Sequence, residues 1–196
     1  VKKLLFGIIL FCASFSLSFS AWPKFYVDAG AGVALESPTA QGYLFSGTGS
    51  IGIEFIDHFS VYLQVQFGSS PAHLDVPTPG WSTTFENFLP SIGLEYSYYF
   101  GRFGILGGIS FGFMSKKRIE YWSPTTNEFP SDGFFVALNA GVSFLATQYI
   151  EPFVKFQYIF AIMPYNTTAW PVDMDIAFYI GVRFNIFKTK HLDKGY

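Results

Sequence analysis

Five charged residues, scattered through a chain that has few, are the first candidates for chemistry: Asp28, Glu54, Glu95, Lys155 and Arg183. Acids and bases this far apart act together only if the fold gathers them, as a paired network or as a gated proton or ion path. A second set is contiguous, Lys116-Lys117-Arg118, and suits lipid phosphates or anionic glycans. Nucleophilic chemistry has two weak candidates. His58-Phe59-Ser60 sets an imidazole beside a hydroxyl, and His73 stands near Ser69, Ser70 and Asp75; neither has a placed orienting acid. Gly47-x-Gly49-x-x-Gly52 matches a dinucleotide fingerprint by letters only, because no helix follows it. His58, His73 and His191 are too dispersed to form a metal cluster, so neither metal nor cofactor is expected.

The elements that must position these residues are constrained by composition. Of 196 residues, 50% are hydrophobic, 21% aromatic and only 13% charged, about half the usual ~25% charged. Twenty-five Phe and 12 Tyr exclude disorder. One cysteine, Cys12, excludes a disulfide framework and a thiolate metal site. A net charge of −2 without a basic face argues against nucleic acid. Past the N-terminus no apolar run reaches the ~18 residues of a spanning helix. Lys2 and Lys3, the apolar stretch Leu4 to Phe15 and the small residues Ser18 and Ser20 read as a cleaved secretory signal over residues 1–20. Lipidation at Cys12 is disfavoured by the bulky Phe11 before it.

From there the chain alternates with period two, as strands do. Phe59, Val61, Leu63, Val65 and Phe67 oppose Ser60, Tyr62, Gln64, Gln66 and Gly68. Ile176, Phe178, Ile180, Val182 and Phe184 oppose Ala177, Tyr179, Gly181 and Arg183. Similar splits cover Lys24–Leu35, Phe45–Asp57, Asn87–Gly101, Arg102–Met114, Gly133–Thr147 and Tyr149–Met163. The polar faces are rich in Gly, Ser and Ala, too small to cover a solvated surface yet suited to a narrow lumen. The bulky faces suit hydrocarbon. Only helices and closed barrels satisfy their backbone in lipid, so the expected fold is all-β: an eight-stranded antiparallel up-and-down transmembrane barrel over residues 21–187. Slipping one strand by a residue would turn Glu54, Glu95, Lys155 or Arg183 outward, at about 2–4 kcal/mol for a midplane Lys or Arg.

Abrupt joins at Asp57-His58, Gly101-Arg102 and Thr147-Gln148 alternate with polar connections at Glu36–Tyr43, Ser69–Phe85, Ser115–Asp132 and Pro164–Asp173. That order predicts short periplasmic turns, long extracellular loops and periplasmic termini, with residues 188–196 as a periplasmic tail. Aromatics gather near both ends of the strands, where interfaces prefer them.

With this plan, the hairpin Tyr98-Tyr99-Phe100-Gly101-Arg102-Phe103 and the closing Gly181-Val182-Arg183-Phe184-Asn185-Ile186-Phe187 resemble the small outer-membrane barrel superfamily. It holds the OmpA membrane domain, OmpX, OmpW and the opacity proteins. The likeness is one of pattern across residues 24–187. It implies a bacterial outer-membrane location, outer-membrane lipid as surroundings, and the barrel-assembly machinery as a partner in biogenesis. Gly181, Phe184, Ile186 and Phe187 would carry the assembly signal. OmpA-like filling makes the five charges a lumen plug. An apolar upper lumen of Leu89, Leu106, Met114, Phe135 and Ile159, beside a strand break at Pro90, resembles OmpW. That resemblance implies passage of a small hydrophobic solute through a side opening. The alternative is a surface adhesin binding a host ligand through Trp81, Lys116, Lys117, Arg118, Trp122 and Trp170. An enzyme is not expected. Lipid A modification is the enzymatic alternative, but His58 would lie at a periplasmic turn, on the far side from lipid A.

Overall fold

The computed structural model describes residues 24–37, 43–56, 58–70, 81–122, 125–162 and 173–186. Residues 1–20, expected as a signal, residues 188–196, expected as a tail, and Trp170, Phe187, His73 and His191 lie outside the described residues. The strands are β1 (Lys24–Ser37), β2 (Tyr43–Ile56), β3 (Phe59–Ser70), β4 (Trp81–Phe100), β5 (Phe103–Trp122), β6 (Thr125–Phe144), β7 (Ile150–Ile162) and β8 (Asp173–Asn185). Each pairs antiparallel with the next, and β8 returns to β1 through Asp28↔Arg183 and its neighbours, closing the barrel.

Alternation sorts the side chains as the sequence predicts. On β3, Tyr62 and Gln66 are buried while Leu63, Val65 and Phe67 are exposed. On β8, Tyr179 and Arg183 are buried while Phe178 and Ile180 are exposed. The outer wall is thus apolar and the inner wall mixed, the reverse of a water-soluble sandwich. On β5 the band runs from Phe103 to Phe113. At about 3.4 Å per residue and a tilt of about 40°, it matches the ~25 Å apolar belt of a membrane barrel.

Two expectations need correction. The segments Ser69–Phe85 and Ser115–Asp132 are not simply loops. β4, β5 and β6 each run for 20 residues, with Trp81–Phe88 paired to Ser115–Trp122 and Ser115–Trp122 paired to Thr125–Asp132. Beyond the band the outward positions turn polar, as at Glu86, Lys117 and Asp132. The alternation contrast therefore fades while the ladder continues. The join near Thr147 is also longer than expected: residues 145–149 link β6 to β7, and Leu145 N–H donates to the Arg102 carbonyl at 2.8 Å.

Inside, aromatic rings lie on directly paired glycines. Tyr26 covers Gly52, Tyr62 covers Gly93 and Phe153 covers Gly181, and a Cβ at any of these glycines would overlap the ring. The missing side chains let large rings lie flat in a narrow lumen and pin the register. Gly93→Val should therefore destabilise the barrel by about 1–3 kcal/mol through overpacking. Gly107→Ala, where a Cβ meets nothing within 4 Å, should stay within about 0.5 kcal/mol of the parent. Equilibrium urea unfolding in lipid vesicles measures both.

Candidate functional site: the lumen and its upper rim

The inward faces of the strands bring polar side chains into a space that an eight-strand barrel makes just wide enough to fill. Four of the five candidate charges meet there. Arg183 Nε donates to Asp28 Oδ1 at 2.8 Å, and its Nη2 reaches Asp28 Oδ2 at 3.0 Å and Glu95 Oε1 at 2.6 Å. Lys155 Nζ lies 2.8 Å from Glu95 Oε2 and 3.3 Å from Asp28 Oδ2. The charges alternate around a closed, neutral ring: Asp28, Arg183, Glu95, Lys155. Its members come from β1, β8, β4 and β7, so it spans the lumen. Asp28, Glu95 and Arg183 are buried; burial on this scale is tolerated only with full pairing.

Aromatic and hydroxyl groups brace the ring. The Arg183 guanidinium lies 4.0 Å from the Tyr26 ring centroid and Lys155 Nζ 4.8 Å from that of Phe153. Tyr26 OH donates to Ser60 Oγ at 3.2 Å, and Ser60 in turn donates to the Glu95 carbonyl at 3.4 Å. Beside the ring, lined by Tyr62, Asn139 and Gln157 among others, the cavity is about 20 Å³, room for about one water.

Glu54 does not join the ring. It pairs with Lys24 at 2.5 Å, below it on β1–β2, a partner sequence reasoning missed. Also missed were the buried Glu151, which accepts from Tyr99 OH at 2.9 Å, and the ion pair of Lys116 with buried Asp175 at 2.9 Å. Strand parity carried that last signal, because Lys116 shares the inward face of β5 with Met114.

The upper apolar residues are packed, and the pocket expected there is filled. Leu89, Met114, Phe135 and Ile159 form one cluster with Ala137, at 0–3% exposure. Leu106 belongs to a second cluster with Ala34, Leu44, Phe153, Ala177 and Tyr179. Pro90 lies on the outer wall. It keeps its pairing with Val65 of β3, while the β4–β5 ladder stops at Phe88↔Ser115 and resumes at Ser91↔Gly112.

At the rim the basic run is divided. Lys116 is held by Asp175, and Lys117 pairs with Glu128 at 2.9 Å, which raises the lysine above its ordinary range. The backbones of Trp81, Arg118 and Trp122 lie in the paired extension of β4 and β5. Gly181, Phe184 and Ile186 lie in or just after β8; Phe184 and Ile186 are exposed on the outer wall. His58 sits at the β2–β3 turn with φ of 81°, its ring 5.9 Å from Tyr96 and 5.8 Å from Tyr98. Those tyrosines are exposed on the outside and Ser60 is buried inside, so the pair forms no dyad. Among the described residues no group of three metal-binding side chains occurs.

Solved structures share this fold. Neisserial surface protein A superposes with a TM-score of 0.67 at 17% identity, over 84% of this chain and 99% of that one. Ail, the attachment invasion locus protein of Yersinia pestis, gives 0.54 at 10% identity, over 84% and 97%; it is also known in complex with the heparin analogue sucrose octasulfate. The outer membrane protein OprG from Pseudomonas aeruginosa gives 0.51 at 13% identity, over 86% and 97%. At these identities the likeness is one of fold. No protein-family model matches the sequence, and neither does any curated protein.

Removing one member of the ring leaves its partners buried and uncompensated. Arg183→Met should destabilise the barrel by about 3–5 kcal/mol in vesicle unfolding. Pairing it with Glu95→Gln should recover part of that loss, and strict additivity of the two would show that the contact is not coupled.

Proposed function

We propose that this protein is an integral outer-membrane barrel that works at the cell surface, with its turns and termini periplasmic and its longer strand ends outward. The observation that carries this reading is the upward run of β4, β5 and β6. They continue past the apolar band as a three-stranded ribbon, up to the pairs Trp81↔Trp122 and Trp122↔Thr125. Among the described residues the β3 pairing runs up to Ser70↔Phe85 and the β7 pairing up to Phe134↔Ile162, and the ribbon extends past both of these last described pairs. Chain ordered outside the membrane contributes nothing to spanning it. A rigid scaffold holding such an element toward the medium suits recognition.

The lumen below supports the same reading. A charge ring and a packed apolar cluster lie one above the other, and neither leaves room for a solute of several atoms. Passage of a hydrophobic molecule through the upper lumen would require Leu89, Met114, Phe135 and Ile159 to separate. The basic run is also a weak glycan site, because Lys116 and Lys117 already hold carboxylates. Attachment through the ribbon, in the sense of Ail's name, is the function the geometry fits best.

The ribbon can be shortened without touching the barrel. Replacing residues 119–128 by an Asn-Gly turn, which suits a tight hairpin, should lower attachment of expressing cells to epithelial or matrix surfaces severalfold while the folded gel band persists. Unchanged attachment would remove the proposal. In planar bilayers the parent protein should give no steady conductance steps; sustained steps would favour a channel instead.

A further inference from the structure

The interruption between β4 and β5 has a physical cause and a consequence on the outer wall. Pro90 has no N–H to donate. The ladder opens on its β5 side for two residue pairs, with the same register above and below. Just below the gap, where the ladder resumes at Ser91↔Gly112, a Cβ on Gly112 would overlap the Pro90 carbonyl and the Phe135 ring, so glycine lets the β4 backbone and that ring approach closely. A groove of about 620 Å³ lies beside the gap, bordered by Pro90, Gly112, Phe113, Phe134, Phe135 and Val136. That volume falls in the ~300–1,000 Å³ range of small-molecule sites.

The groove lies on the outer wall, where Phe113 and Phe134, paired across β5–β6 with ring centroids 6.0 Å apart, are 40% and 73% exposed. Inward it is closed by Phe135 and, behind it, by Leu89 and Met114, all at 3% exposure or less. The medium that reaches it is membrane hydrocarbon. We propose that this groove is a binding site for one fatty-acyl chain of a membrane lipid, seated on the outer face of β4–β6 beside Pro90 and held against the Phe113 and Phe134 rings. A concave slot gives a chain contacts on several sides at once, whereas the convex wall elsewhere touches it on one, and in lipid such dispersion contacts are what select a neighbour. The proposal rests on the lipid-facing wall and is independent of any partner of the ribbon.

The test uses the full chain in phosphatidylcholine vesicles carrying a trace of phosphatidylcholine with a mid-chain diazirine. After photolysis, crosslinks mapped by mass spectrometry should concentrate severalfold at Phe113, Phe134 and Val136 over Phe67 and Ile180, exposed elsewhere on the wall. Pro90→Ala restores the missing N–H and should let the ladder close, reducing that enrichment to the level of Phe67. Val136→Phe fills the groove without altering the ladder and should do the same, which guards against misfolding of the first variant. Even labelling around the barrel, as ordinary surrounding lipid would give, overturns the site. So does enrichment that survives Val136→Phe in a protein retaining its folded gel band. Failure of the parent to insert would strike the membrane reading, and it is seen separately as loss of that band.

Discussion

Within hydrocarbon, every backbone N–H and C=O must find its partner in the chain itself. The closure of β8 onto β1 follows from that requirement, and so does much of what lies inside. A ring of eight strands has a fixed, narrow bore, so inward side chains meet across it. Charges pointing inward have no bulk water to turn to. They must pair with one another, and Asp28, Arg183, Glu95 and Lys155 do so in a closed alternating circuit. At Pro90 the β4–β5 ladder is interrupted, and a concavity of the outer wall lies beside it.

The ring resembles a clasp more than an energy source. Burying four charges costs nearly as much as their attraction returns, and such networks often add little net stability over an apolar filling. Their geometry is demanding, however. Glu95 on β4 reaches Arg183 on β8 and Lys155 on β7, strands that share no ladder with it. A misregistered barrel would leave at least one of these groups unpaired. The glycine–aromatic contacts act similarly along neighbouring strands, since Tyr62 fits over Gly93 at one register only. Both devices favour the register in which these particular groups meet.

Above the membrane a different rule holds. There water can satisfy an exposed edge, so continuing a strand is a matter of side-chain pairing rather than necessity. β4 to β6 continue, helped by pairs such as Lys117 with Glu128, and Lys116 turns down to close the top of the lumen with Asp175. Residues that read in the sequence as one basic patch are thus split between the interior and the ribbon surface.

The sequence by itself determined which face each residue takes. Period two is a local property of the strand, so the inward direction of Asp28, Glu95, Lys155 and Arg183, the apolar exterior and the strand count were all legible without coordinates. Parity would also have turned Lys116 inward had the strand been followed past Met114, but alternation loses its contrast where lipid ends. Only the tertiary structure decided which inward groups meet. That Glu54 takes Lys24 while Glu95 takes Arg183 and Lys155, and that Leu106 leaves the cluster of Leu89 and Met114, depends on the stagger between strands and the reach of side chains across the bore. Those are properties of the closed ring, and no single strand contains them.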